Sequence, residues 1–161
     1  MAENPRSDMP RIAFGEHTLS RLILGANPIN GGSHLSRFVN LQMKRYFTPE
    51  QIQALLQHCA RLGINAWQSG PGNLAAYRAF RDQGGEMHYI SLAREDPADP
   101  DVIQRLVSAG TIGIAHHGEV TDVLWKKGEI AKVRAFCRKV RDAGSMVGIS
   151  THIPAVVDHV V

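Results

Sequence analysis

Sulfur is scarce in this chain. Its 161 residues hold two cysteines, Cys59 and Cys137, with no C-x-x-C spacing. That excludes a disulfide scaffold and leaves buried free thiols as the expected state. Long apolar runs are missing too. The opening MAENPRSDMPR has no apolar core of signal-peptide length, and no run approaches a membrane span, so a cytoplasmic protein with no membrane partner is expected. Charge of one sign is also weak: 18 Lys and Arg against 15 Asp and Glu give a formal net charge of +3. The densest basic pairs, Lys44-Arg45 and Lys126-Lys127, lack the interleaved aromatics of a single-strand binding face. No nucleic-acid partner is expected.

What is present is apolar content and alternation. With 43% hydrophobic residues the chain can bury a proper core, and one domain over residues 1–161 is the default reading. Short strand-like runs alternate with amphipathic helix-like stretches, the signature of βα units on a parallel sheet. Five strands are expected: 21–27, 64–69, 87–93, 111–117 and 145–151, preceded by a β-like pair around 11–14 and a turn at Gly15-Glu16. Thr48-Pro49-Glu50-Gln51 opens a helix with a capping residue and Pro at its first position. Ile52, Leu55, Leu56, Cys59 and Leu62 recur along that helix at helical spacing, and Gly63 stops it. Further helices are expected at about 73–82, 100–109 and 129–143. The fold class is therefore α/β: a partial TIM (β/α)8 barrel of about five parallel strands with an N-terminal β-hairpin. A complete barrel usually needs roughly 250 residues, so the chain reads as the N-terminal portion of one.

The 20 residues from Pro28 to Phe47 form a connection far longer than the usual two to six or so, and a loop or lid over 28–47 is expected. Its GGSH centre could offer backbone N–H groups to an anion. It lacks the Lys-Ser/Thr ending of a phosphate loop and a G-x-G-x-x-G spacing, which favours a plain turn.

Small residues set which strand face looks into the barrel. Gly113 and Ala115 carry His117 to the inner face, and Gly148 and Ser150 carry His152 there. The same rule places Asn27, Gln68 and Glu95 at the C-terminal rim, where parallel-barrel enzymes keep their chemistry. His117, His152 and Glu95 are the candidate catalytic groups. Two imidazoles and a carboxylate can divide acid and base roles near neutral pH, or can bind a divalent metal through His117 and His152. Asn27, Asn30, His34 and Gln68 are candidate substrate-binding residues. Glu119 and Asp122 either orient an imidazole or simply begin a short helix.

Ala13-Phe14-Gly15 and Thr18 to Gly25 resemble the N-terminal hairpin and first strand of aldo/keto reductases. Gly63-Ile64-Asn65 and Val147-Gly148-Ile149-Ser150 are similar to that family's second and fifth strands. The resemblance implies a (β/α)8 barrel and NADPH-dependent carbonyl reduction. His117 matches the family's fourth-strand histidine. The other catalytic positions depart from the pattern: Gln68 stands in place of an aspartate, Asn73 in place of the tyrosine, and Ser91-Leu92-Ala93-Arg94 offers no lysine. Without the Tyr-Lys pair the family's means of protonating an alkoxide is missing. The family's nicotinamide site also lies mostly on the last two βα units.

The leading expectation is a small-molecule enzyme on this scaffold, working by acid/base or metal chemistry at strand-end histidines. If a metal is bound, an imidazole-preferring ion such as zinc suits the donors better than magnesium. An NADPH-dependent oxidoreductase of aldo/keto-reductase type ranks behind it. A non-catalytic binding or assembly protein is the third reading, with self-association of an incomplete barrel as one form of it.

Overall fold

The computed structural model describes residues 9–160. The protein is mixed α/β, with an antiparallel hairpin and a four-stranded parallel sheet. The chain clusters into two compact units divided after His88, and each is described in turn.

In the first unit, β1 (Arg11–Phe14) and β2 (His17–Ser20) pair across a two-residue turn, with Arg11 opposite Ser20 and Phe14 opposite His17. Gly15 holds φ 58, the left-handed value that such a hairpin turn requires at its first position. A side-chain clasp ties the hairpin to the approach of β3 (Ala66–Ser69). Ser20 N–H donates to Asn65 Oδ1 at 2.6 Å, Asn65 N–H to Ser20 Oγ at 3.0 Å and Asn65 Nδ2 to the Thr18 carbonyl at 3.0 Å.

The strand expected over 21–27 is corrected to a single parallel bridge, Leu24 to Trp67. Leu24 uses its N–H on Ala66 and its carbonyl on Gln68. Its neighbours are committed elsewhere: Arg21 N–H donates to Pro10, the Leu22 carbonyl accepts Ser20 Oγ, and Asn30 N–H turns back to Ala26. The segment 28–47, expected as a loop or lid, is partly helical. It contains α1 (Arg37–Tyr46), capped by Ser36 Oγ, which accepts from Val39 N–H at 3.2 Å. No residue of α1 is buried. An irregular sequence of mixed polarity gave no core-facing stripe from which to read it.

Helix α2 (Pro49–Arg61) starts as expected, with Thr48 Oγ1 accepting from Gln51 N–H and Pro49 in the first turn. Ile52, Leu56 and Cys59 are buried, whereas Leu62 falls at the C-cap and is exposed. A 3-10 turn at Pro71–Asn73 leads into α3 (Leu74–Asp82), which buries Leu74, Tyr77 and Phe80. Tyr77 Oη donates to the Met87 carbonyl at 3.0 Å.

The second unit carries most of β4 (His88–Ala93), then α4 (Val102–Ser108), β5 (Gly113–His116), α5 (Gly118–Lys126), α6 (Ile130–Asp142), β6 (Met146–Ile149) and α7 (Val157–Val160). The strands pair in parallel: Ala93 opposite His116, and Ala115 opposite Gly148. The expected strands 64–69, 87–93, 111–117 and 145–151 therefore all form, each shortened. Helix α6 buries Val133, Phe136, Cys137 and Val140, spaced three, four and seven residues apart as a sheet-facing stripe demands. Both cysteines are free and buried, and burial raises both thiol pKa values. Among the described residues no helix is long and apolar enough to cross a membrane.

Candidate functional site

At the end of β5 the chain passes directly into α5, and His117 sits at the junction. Its N–H donates to the Ala93 carbonyl at 2.8 Å, and its carbonyl accepts from Thr121 N–H at 2.9 Å and Thr121 Oγ1 at 3.0 Å. Extended backbone at His117 (φ -64, ψ 127) continues the strand alternation. The rings of His116 and His117 therefore leave on opposite faces.

His116 takes the helical side. It is 3% exposed, with its ring 5.0 Å from that of Phe136 on α6. Its Nδ1 lies 2.7 Å from Thr121 Oγ1. Since that hydroxyl proton goes to the His117 carbonyl, the ring N–H is left as the donor, and His116 is neutral. Burial, with the adjacent His117 adding to it and Glu95 partly opposing, brings its pKa down to about 4. His117 takes the face shared by Ala115 and Gly148, whose added Cβ would stand 3.4 Å from that of Ala115. The Nδ1 of His117 is buried without a hydrogen-bond partner among the described residues.

Past β6, the backbone N–H of Ser150 donates to the His116 carbonyl at 3.0 Å. Gly118 closes on the same serine so tightly that a Cβ there would lie 2.7 Å from Ser150 Oγ. This close approach brings the Thr151-His152 segment against α5. Asp122 is buried, and its Oδ1 accepts Thr151 Oγ1 at 2.5 Å. Its Oδ2 accepts the His152 N–H at 3.2 Å and lies 2.7 Å from His152 Nδ1. The Thr151 hydroxyl first, and then the His152 contacts, hold the Asp122 carboxyl below its ordinary pKa despite its burial. The His152 side chain is 80% exposed. One ring nitrogen is thus fixed on a carboxylate while the ring reaches solvent.

Of the two sequence readings of Asp122, orienting an imidazole or simply beginning a short helix, its contact with His152 accords with the first, and it lies past the first turn of α5. Glu119, in the first turn of the same helix, is exposed. Thr151 escaped sequence reasoning, because a hydroxyl beside a histidine carries no periodic signal of its own.

Glu95 is exposed and forms an ion pair with Lys139 of α6, at 2.5 Å. Strand β4 ends at Ala93, so alternation no longer aims a residue two positions further on, and the carboxylate takes a nearby cation. Among the described residues no group of three or more His, Cys, Asp or Glu side chains is gathered as a metal would require.

The expected substrate-binding residues lie in the first unit. Asn30 Oδ1 accepts from Asn73 Nδ2 at 2.8 Å, and the same amide group donates to Ser69 Oγ at 2.7 Å. The position where the family resemblance expected a tyrosine thus holds a small polar network. Gln68 and Asn27 are exposed, and the Asn27 carbonyl accepts from Gly32 N–H at 2.7 Å. His34 is exposed and held at φ 60, in the left-handed region that is uncommon for residues other than glycine.

No family model, curated protein or solved structure matches the chain.

Proposed function

We propose that the chain is a small-molecule enzyme on a partial (β/α)8 scaffold of aldo/keto-reductase-like type, working by proton transfer in the cytoplasm. His152 is the general base and acid, Asp122 positions it, and His117 is the second proton-transfer group. The contact of Asp122 with His152 Nδ1 at 2.7 Å carries this reading.

A carboxylate on Nδ1 favours the tautomer with its proton there, which leaves the Nε2 lone pair free to accept a proton from substrate or water. The imidazolium then formed lies against an ionised Asp122, which lowers its energy. Returning the proton to the product resets the ring. Hydride transfer is not part of the proposal, because Asn73 and the Ser91-Leu92-Ala93 run supply neither a tyrosine acid nor a lysine.

The test is a proton-release and product assay of the whole chain on small esters, phosphate esters and enolisable carbonyl compounds. His152→Ala is expected to lower turnover by about 100-fold or more. Asp122→Asn is expected to lower kcat while leaving KM, and to move the pH–rate profile, since it alters the charge facing the ring. Turnover unchanged in both variants, or no turnover of any of these compounds by the unaltered chain, overturns the proposal.

A further inference from the structure

A second feature belongs wholly to the first unit and has no part in the proposed proton transfer. A cleft of about 850 Å3 opens beside the N-terminal end of β3, a volume within the range of small-molecule sites. Three guanidinium groups line it from three elements: Arg11 on β1, Arg61 at the end of α2 and Arg81 at the end of α3. Glu86 is the one acidic residue in the lining. Among the described residues none of the three arginines forms an ion pair with a carboxylate. The wall between Arg81 and Glu86 is fixed by packing, because an added Cβ at Gly85 would meet the Phe80 ring at 2.3 Å.

His88 completes the polar lining. Its ring lies 5.0 Å from that of His17 on β2. Burial lowers its pKa first, and His17, Arg81 and Arg11 lower it further. The cleft thus disfavours protonation of this imidazole partly by surrounding it with positive charge. The negative ends of α2 and α3 offset some of that charge. They do so as backbone dipoles; Arg61 Nη2 also lies 3.4 Å from His58 Nδ1, and Arg81 is hydrogen-bonded to Tyr77.

We propose that this cleft binds a phosphate monoester, with its phosphate among Arg11, Arg61 and Arg81 and its organic part along the remaining lining. Guanidinium forks match phosphate oxygens in pairs. Three forks arriving from three elements suit the three terminal oxygens of a monoester, whereas a carboxylate offers only two. The volume exceeds what a bare phosphate fills, so the ligand carries a body, for which Ile64, Phe80 and Met87 supply apolar contact.

The experiment titrates the whole chain with inorganic phosphate and with phenyl phosphate, using acetate at matched ionic strength as the control. Calorimetry and the ring-proton shifts of His88 are the readouts. Saturable binding is expected for both phosphates, tighter for phenyl phosphate, with none for acetate. The His88 titration midpoint is expected to rise on binding, because the anion cancels the repulsion from Arg11 and Arg81 while His17 and Glu86 stay in place. Arg61→Gln and Arg81→Gln should each weaken binding by about tenfold, consistent with loss of one charge-assisted pair. The triple replacement with Arg11→Gln should abolish it. All three side chains are exposed, so circular dichroism should show an unchanged fold. Saturable binding that persists in the folded triple variant, equal binding of acetate, or no saturation by either phosphate overturns the proposal.

Discussion

His116 and His152 show how far one residue type can diverge within a single unit. His116 is neutral because its ring is enclosed by Phe136 and Thr121. His152 is exposed and takes its orientation from Asp122. Burial of His116 has a consequence for stability. Its folded pKa of about 4 lies below the ordinary unfolded value of about 6.5, so between those values the unfolded chain binds the proton and the folded one does not. The contribution is therefore complete above about pH 6.5 and is lost progressively as pH falls toward about 4. Integrated over that window it amounts to about 3 kcal/mol, of which about 2 kcal/mol is lost between about pH 7 and pH 5. Urea unfolding at those two pH values should show this fall in the unaltered chain. His116→Gln keeps a donor for Thr121 and cannot titrate, so its stability should change much less over the same interval. An equal fall in both would show that His116 does not carry the acid sensitivity.

Among the elements, those that obeyed a period were legible in the sequence, and those fixed by single contacts were not. Helix α2 was readable from Thr48, Pro49 and the Ile52-Leu56-Cys59 stripe, since capping and burial both leave marks at fixed spacing. The cores of β3 to β6 were readable as short apolar runs, each following a helix-stopping glycine at Gly63, Gly85, Gly110 or Gly144. The run at 21–27 has the same composition, yet only Leu24 pairs, because hydrogen bonds at Arg21, Leu22 and Asn30 compete for the neighbouring backbone. Helix α1 was missed because Phe38, which would mark a buried face elsewhere, is 80% exposed. The hairpin depends on the Asn65 clasp to a comparable degree. Asn65→Ala removes an acceptor for Ser20 N–H and a donor to Thr18 in one step. Ser20 is fully buried, so the orphaned N–H should cost about 1–3 kcal/mol. Denaturant unfolding should register this as a lowered midpoint, and Asn65→Asp should recover the part that depends on the acceptor.

At the scale of the molecule, the candidate site was half legible. Strand alternation and small residues pointed to His117, and Asp122 was one of two carboxylates named for an imidazole. The surroundings of Glu95, His117 and His152 were not legible, because all three lie past the last paired residue of a strand, where turns and ion pairs replace periodicity. The arginine cleft left no sequence signal, since Arg11, Arg61 and Arg81 lie far apart in the chain and only the fold gathers them. Charge elsewhere is dispersed in the same way. The described Lys and Arg ion pairs, Arg105 with Asp99, Lys132 with Glu129 and Lys139 with Glu95, are all at the surface, where solvent and salt screen them. Added sodium chloride should therefore leave the thermal midpoint nearly unchanged. Phosphate at the same ionic strength should raise it, because a ligand that binds only the folded cleft stabilises in proportion to the logarithm of its concentration over its dissociation constant. The rise should disappear in the triple arginine variant. A chloride effect as large as the phosphate effect would instead mean that general screening of surface charge governs the response.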